Sequence, residues 1–134
     1  MTRTSPELPV IVGAAIISDR RVLACERSEP PEVRGMWEFP GGKVDPGETE
    51  TEALVRECLE ELGVRVDVSH RVGADVLMAD GRYLLKVFLA RLVEGVPYPH
   101  EHSDLRWLGV DELESVPWLP ADAPIVASLK PLLA

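Results

Sequence analysis

The apolar positions fall into short runs bounded by turn residues, and their spacing changes twice along the chain. Residues 10–18 (Val-Ile-Val-Gly-Ala-Ala-Ile-Ile-Ser) form an almost continuous, β-branched run, which reads as a buried central strand. Asp19-Arg20 predicts a tight turn into a second strand over 21–27, completing a hairpin. Residues 28–34 contain Pro30-Pro31 and are expected to be loop, and 36–39 form a short aromatic strand ended by Pro40-Gly41-Gly42. After the turn chemistry of Asp45-Pro46-Gly47-Glu48 the period becomes helical, with Leu54, Val55, Cys58, Leu59 and Leu62 in one apolar arc. Thr49 and Glu52 match a capping box, and Gly63 supplies the stop. Strands follow over 65–68, 71–78 and 83–92, the last two joined by the hairpin signal Ala79-Asp80-Gly81-Arg82, and over 104–108. A second helix is expected over about 123–133, with Asp122 as N-cap and Pro124 in its first turn. Strands and helices mix without a βαβ rhythm, which predicts an α+β fold, a mixed sheet flanked by helices. No repeat or linker divides the 134 residues, so one domain over 1–134 is expected, with 1–9 as a loose arm.

Composition narrows the class. Hydrophobic residues at 46% and charged residues at 28% are ordinary for a globular protein, so neither disorder nor a fibre is indicated. A net charge of −9 argues against a protein that coats nucleic acid or binds an anionic membrane, since both need a basic surface. No stretch approaches the ~18 apolar residues of a membrane span. The run 10–17 is followed by Ser18-Asp19-Arg20-Arg21 rather than a small-residue cleavage site, so it is no signal peptide. Cys25 and Cys58 are too few for a disulfide framework; two small buried hydrophobes in a reducing cytoplasm fit them. An anionic ligand would therefore need a local cation, from basic side chains or a metal.

The acids are concentrated. Residues 38–61 hold eight of them (Glu38, Asp45, Glu48, Glu50, Glu52, Glu57, Glu60, Glu61) against Lys43 and Arg56, two-thirds of the protein's net charge. Glu57, Glu60 and Glu61 are spaced i, i+3, i+4 and so share one turn of helix, away from the apolar arc. Like charges at that spacing cost roughly 0.2–0.5 kcal/mol per pair, and acids in a last turn oppose the helix dipole by about 0.3–1 kcal/mol each. Arg56 relieves part of this through Glu52 and Glu60, one turn away on either side. A solvated acidic face is one reading; a hard divalent cation, Mg²⁺ or Mn²⁺, explains the placement better. Gly41 and Gly42 leave the backbone open to a ligand, and Lys43 and Arg27 offer positive charge for a polyphosphate.

These residues spell a known signature. Gly42-Lys43-Val44-Asp45-Pro46-Gly47-Glu48, seven residues, then Arg56-Glu57-Cys58-Leu59-Glu60-Glu61-Leu62-Gly63-Val64 resembles a complete Nudix box, with Cys58 where an aliphatic residue is usual. Cys58 lies on the apolar face, so the departure is conservative. Trp37-Glu38-Phe39-Pro40-Gly41-Gly42, the 101–107 segment and Leu119-Pro120-Ala121-Asp122 are similar to the MutT branch of that family, and within it to the CTP/dCTP pyrophosphohydrolases and 8-oxo-dGTP diphosphatases. The resemblance covers nearly all of 10–133 and implies an α/β/α sandwich around a mixed sheet.

It also implies roles. Gly41 would offer its carbonyl to the metal, and Glu57, Glu60 and Glu61 would bind Mg²⁺, with Glu57 also activating water. Glu48 and Arg56 would orient the box, and Lys43 and Arg27 would contact phosphates. Glu101, six residues before Trp107, is the candidate for a carboxylate from outside the box, although an ordinary exposed Glu fits that position too. His100 and His102 beside it read as solvent-exposed loop residues. The implied reaction is hydrolysis of a nucleoside triphosphate to monophosphate and pyrophosphate. Asp122 has two readings. As an ionised carboxylate it accepts from cytosine N4, favouring CTP, dCTP and 5-methyl-dCTP; as an N-cap it needs no substrate at all. Protonated, it would suit the carbonyl of an oxidised guanine. Trp37, Phe39 and Trp118 either stack on the base or belong to the core. Nucleotide sugars such as ADP-ribose, and a non-enzymatic nucleotide-binding module, are the alternatives.

Overall fold

The sheet is organised around β1 (Val10–Ser18), whose long β-branched run sits between neighbours on both edges. The structure is a computed structural model that describes residues 8–78 and 81–134. Most of the expected arm, and Ala79 and Asp80 of the expected hairpin turn, lie outside those residues. On one edge β1 runs parallel to β7 (Tyr83–Glu94), in register from Val10 opposite Leu84 to Ile16 opposite Ala90. Its other edge is shared. The first half pairs antiparallel with β4 (Gly41–Lys43), and the second half turns at Asp19-Arg20 into β2 (Arg21–Glu26). Both turn residues have positive φ, 49° and 61°, the geometry of a two-residue hairpin that follows the twist of its strands. β2 in turn pairs with β3 (Trp37–Glu38) and β8 (Asp104–Leu108), while β5 (Arg65–Arg71) and β6 (Val76–Met78) pair antiparallel with β7.

The alternation along β1 sends side chains to two layers. Val12, Ala14 and Ile16 join Leu54, Cys58 and Leu62 of α1 (Glu50–Leu62) on one face of the sheet. Ala15, with the partly buried Ile11 and Ile17, packs with Ile125 and Leu129 of α2 (Ala123–Leu133) on the other. The result is the expected sandwich of helices on a mixed sheet. No helix among the described residues is long and apolar enough to cross a membrane.

Both ends of α1 follow from its sequence. The Thr49 side chain accepts from the Glu52 N–H at 3.1 Å, and Glu52 accepts from the Thr49 N–H at 2.8 Å. Gly63 closes the helix at φ 71°, where a side chain would be strained.

Several expectations need correction. Leu59 is 47% exposed, and Glu61 takes a buried place beside Leu54, Cys58 and Leu62. At Glu61 the neighbouring strand β4 offers the Gly41 N–H as a hydrogen-bond donor, which only a polar side chain can use. Gly41-Gly42 does not end a strand but forms most of β4, because β1 offers its free edge there. The separate strands expected over 65–68 and 71–78 redistribute into bulged β5 and short β6. Single 3₁₀ turns at Pro31–Val33 and Val110–Ser115 were not legible from the pattern.

Candidate active site

Between α1, β3, β4 and the connection from β7 to β8 lies a cleft of about 460 Å³. Glu57 and Glu61 line one end with Gly41 and Gly42; Arg27, Glu38, His102 and Asp122 line the rest, with Phe39, Met78 and Leu119 as apolar wall.

The carboxylate end is built by the helix and the turn before it. Arg56 is its hub: Nε and Nη2 donate to Glu48 at 2.7 and 2.9 Å, and Nη1 donates to Glu57 at 2.8 Å and Glu60 at 3.3 Å. Nη2 also donates to the Lys43 carbonyl at 3.1 Å, which ties the helix to β4. Of the two partners expected for Arg56, Glu60 is found and Glu52 is not. Instead Glu52 is committed to the cap, and the turn folds Glu48 back over the helix, so a long guanidinium bridges Glu48, Glu57 and Glu60. Hydrogen bonding to Arg56 pulls the Glu48 carboxyl down to about 2, and the same contacts raise Arg56 still further above its ordinary range.

Glu61 is different. Burial, followed by hydrogen bonding and repulsion from Glu57 and by Glu38, pushes its carboxyl up to about 9; the Gly41 N–H opposes this. One of its oxygens, Oε2, is buried without a hydrogen-bond partner among the described residues. A buried carboxyl crowded by a second one is the arrangement that a divalent cation relieves. The glycines are required here. A Cβ on Gly41 would stand 1.9 Å from the Val12 carbonyl oxygen, and one on Gly42 would stand 2.5 Å from the Glu57 carboxylate. Among the described residues the side chains form no ready cage of three cation ligands. Glu57 and Glu60 are turned onto Arg56, and would have to share it with an ion.

The other end is gathered from distant segments. Arg27 Nη1 donates to both oxygens of Glu38 at 3.0 and 3.1 Å, and His102 Nε2 stands 3.0 Å from Glu38 Oε2. Glu101 is exposed on the cleft rim, and its carbonyl accepts from Ser28 Oγ at 3.2 Å. Asp122 is 5% exposed and lines the cleft. Its side chain makes no capping hydrogen bond to α2, so N-cap duty does not explain it. Burial, then Glu38, holds its carboxyl well above the ordinary range, against the pull of Arg27.

The structure therefore brings Gly41, Glu57, Glu61, Glu101, Arg27, Lys43, Phe39 and Asp122 to one cleft. Glu48, Arg56 and Glu60 stand behind Glu57. Lys43 also lies over the Tyr83 ring, 5.0 Å from its centroid. Trp37 is not on the cleft wall; it is buried, with Arg106 against its ring, and Trp118 packs on Phe39 at 5.0 Å. Glu38 and His102 were missed. Their signals were the surplus acid in the Trp37–Pro40 stretch and the position of His102 beside Glu101. The His102 side chain is only 6% exposed, so it is no solvated loop residue, whereas His100 is exposed. Cys25 and Cys58 are buried free thiols; burial raises both, Cys58 to about 12, so neither is a nucleophile near neutral pH.

Comparison with known proteins agrees with this geometry. The NUDIX domain model matches residues 7–129. The chain is 42% identical over 123 residues to a putative 8-oxo-dGTP diphosphatase 2 of Mycobacterium tuberculosis, covering 90% of this chain and 86% of that protein. It is 35% identical over 125 residues to the CTP pyrophosphohydrolase of Escherichia coli, covering 92% and 93%. Among solved structures, a MutT NUDIX hydrolase from Burkholderia pseudomallei superposes with a TM-score of 0.79 at 33% identity, covering 92% of this chain and 99% of that one. With the carboxylate helix, the glycine strand and the arginine hub all in place, the chain belongs to the Nudix hydrolase family and is a pyrophosphohydrolase of that family.

Proposed function

We propose that the protein hydrolyses nucleoside triphosphates to the monophosphate and pyrophosphate with Mg²⁺, Mn²⁺ being a substitute, and that cytidine nucleotides (CTP, dCTP, 5-methyl-dCTP) are its favoured substrates. The observation that carries this reading is the pairing, in one cleft, of a crowded carboxylate end with a buried carboxyl, Asp122. A triphosphate would meet the first and a base the second.

Glu57, Glu60, Glu61 and the Gly41 carbonyl would hold the cation, with Glu101 as a further carboxylate from the connection before β8. The all-oxygen donor set suits a hard ion, and the unpartnered Oε2 of buried Glu61 gives it a place. When bound, the ion offsets phosphate charge and makes water more acidic. The chain's own residues do the rest. Arg56 fixes Glu48, Glu57 and Glu60 in one orientation. Glu57 takes the proton from the attacking water, one P–O bond forms to that water's oxygen, and the bridge between the α- and β-phosphates breaks. Arg27 and Lys43 offer positive charge to the remaining phosphate oxygens. Phe39 and Leu119 give the base an apolar wall.

Asp122 decides the base. With or without its proton the carboxyl keeps an accepting oxygen, which suits the cytosine amino group. The E. coli relative is named for CTP. The second reading rests on one observation: burial favours the protonated form of Asp122, which also donates and so suits a carbonyl of 8-oxoguanine. The M. tuberculosis relative is named for 8-oxo-dGTP. Pyrophosphate release from CTP, dCTP, 5-methyl-dCTP, dGTP, 8-oxo-dGTP and ADP-ribose at fixed Mg²⁺, compared by kcat/KM, tests both. A tenfold or greater preference for cytidine nucleotides is expected. Preference for 8-oxo-dGTP transfers the proposal to the second reading. Chelation of divalent cations is expected to abolish turnover, and activity persisting in EDTA sinks the cation assignment.

A further inference from the structure

The inference rests on the cleft being a nucleotide site, and concerns a residue that neither the family signature nor the carboxylate helix includes. We propose that His102 is a positioning residue for substrate binding: its Nε2–H fixes the Glu38 carboxylate, and through it the Arg27 guanidinium, on the cleft wall.

Three segments meet at Glu38. The carboxylate comes from β3, Arg27 from the end of β2, and His102 from the connection between β7 and β8. Arg27 is further held by its Nε–H, which donates to the Glu29 carbonyl at 2.9 Å. An ionised carboxylate paired with a guanidinium can only accept, so the hydrogen between Glu38 and His102 belongs to Nε2. With Nε2 committed to Glu38, the other ring nitrogen, Nδ1, is buried without a partner among the described residues. A buried polar atom without a partner carries a desolvation cost that an apolar side chain of similar shape would avoid. The imidazole is therefore not there for packing.

Nor is it needed to hold the loop. The backbone of the connection is anchored independently. The His100 N–H donates to the Glu61 carbonyl at 3.3 Å, Ser103 N–H donates to the Glu26 carbonyl at 2.9 Å, and Ser28 Oγ donates to the Glu101 carbonyl. What His102 uniquely supplies is the third contact on Glu38. Glu38 lies within electrostatic reach of both Glu61 and Asp122, so it stands between the carboxylate end and the base end of the cleft. A Glu38 free to swing would take Arg27 with it and leave the middle of the cleft without a fixed donor.

The test compares the full-length protein with His102→Ala and His102→Gln. A glutamine amide N–H reaches about where Nε2 does, but nothing in it replaces Nδ1. On the triphosphate turned over best, His102→Ala is expected to raise KM about tenfold, the scale of one hydrogen bond to a charged group, and to leave kcat and Tm nearly unchanged. His102→Gln is expected to recover most of the KM. Unaltered KM in His102→Ala overturns the proposal. So does failure of His102→Gln to rescue, which would transfer the role to Nδ1 or to ring shape. An arm that needs no turnover is ¹⁵N NMR of the histidine ring and of the Arg27 Nε–H. A protonated Nε2 with bare Nδ1 is expected, with the Arg27 signal broadened or lost in His102→Ala. The opposite tautomer, or an unperturbed Arg27 signal, overturns the proposal even if the wild type hydrolyses no triphosphate, a result that counts against the proposed function instead. Should His102→Ala not fold, the wild-type spectrum and the Gln variant still decide.

Discussion

The two ends of the cleft are both acidic, yet they are assembled in opposite ways. At the carboxylate end, Glu48, Arg56, Glu57, Glu60 and Glu61 come from one turn and one helix, and a single guanidinium ties three of them together. At the other end, Arg27, Glu38, His102 and Asp122 come from four separate segments, with Glu38 meeting Arg27 and His102. Local spacing carries most of the first arrangement. The second depends on the register of β3 against β2 and on how α2 docks. Chemistry common to a family belongs at the first kind of place and substrate choice at the second.

Breaking the carboxylate end should cost most. Glu57→Gln keeps the shape and the contact with Arg56 Nη1 but removes the proton acceptor. It is expected to lower kcat by about 10³-fold, the scale of a lost general base, without loss of fold. A variant that keeps a tenth of wild-type kcat would show that Glu57 is not that base. Arg56→Ala comes next. It frees Glu48, Glu57 and Glu60 together, and misorientation of this kind is expected to cost about 10²-fold in kcat/KM. Arg56→Lys should recover little, because an ammonium cannot match the forked contacts. Activity after Arg56→Ala near that of wild type would mean the carboxylates hold their places without the hub.

Effects at the other end should be smaller and should fall on selectivity. Asp122→Asn is expected to change the kcat/KM ratio between dCTP and 8-oxo-dGTP by about tenfold, since one base-edge contact carries about 1–3 kcal/mol. An unchanged ratio would remove Asp122 from base recognition.

The smallest effect is a pH dependence of stability. Folding raises the Asp122 carboxyl above its unfolded value near 3.8, so the folded state binds more protons than the unfolded state across the window above that value. Raising the pH through the window therefore lowers stability, with a slope that reaches at most about 1.4 kcal/mol per pH unit. Asp122→Asn removes this contribution, so denaturation midpoints measured from pH 4 upward should fall less steeply than in wild type. Glu61, raised from 4.5 to about 9, contributes in the same direction and remains in the variant. An identical slope in both proteins would show that Asp122 is ionised in the folded state.

Much of this was legible before any coordinates. The capping box, Gly63 and the hairpin at Asp19-Arg20 are properties of neighbouring residues, and each appears where the pattern put it. The failures have physical reasons. Leu59 sits at an apolar helical position but is left in solvent, while Glu61 is buried with the Gly41 N–H as a donor. Asp122 has the sequence position of an N-cap, yet its carboxyl lines the cleft instead of bonding the first turn of α2. His102 looks like loop because Glu38, which its side chain meets, is 64 residues away.

The family, the carboxylate helix and the glycines that open the backbone beside it were readable from the chain alone, because they depend on spacings of a few residues and on the backbone freedom of glycine. Only the tertiary structure decided which side chains close the cleft: that Trp37 is core, that Phe39 forms the wall, that Glu38 is held from both sides and that Asp122 is buried rather than capping. Those outcomes depend on strand register and helix docking, which bring together residues with no local relation. They also decide burial, and burial is what sets whether a carboxyl carries its charge.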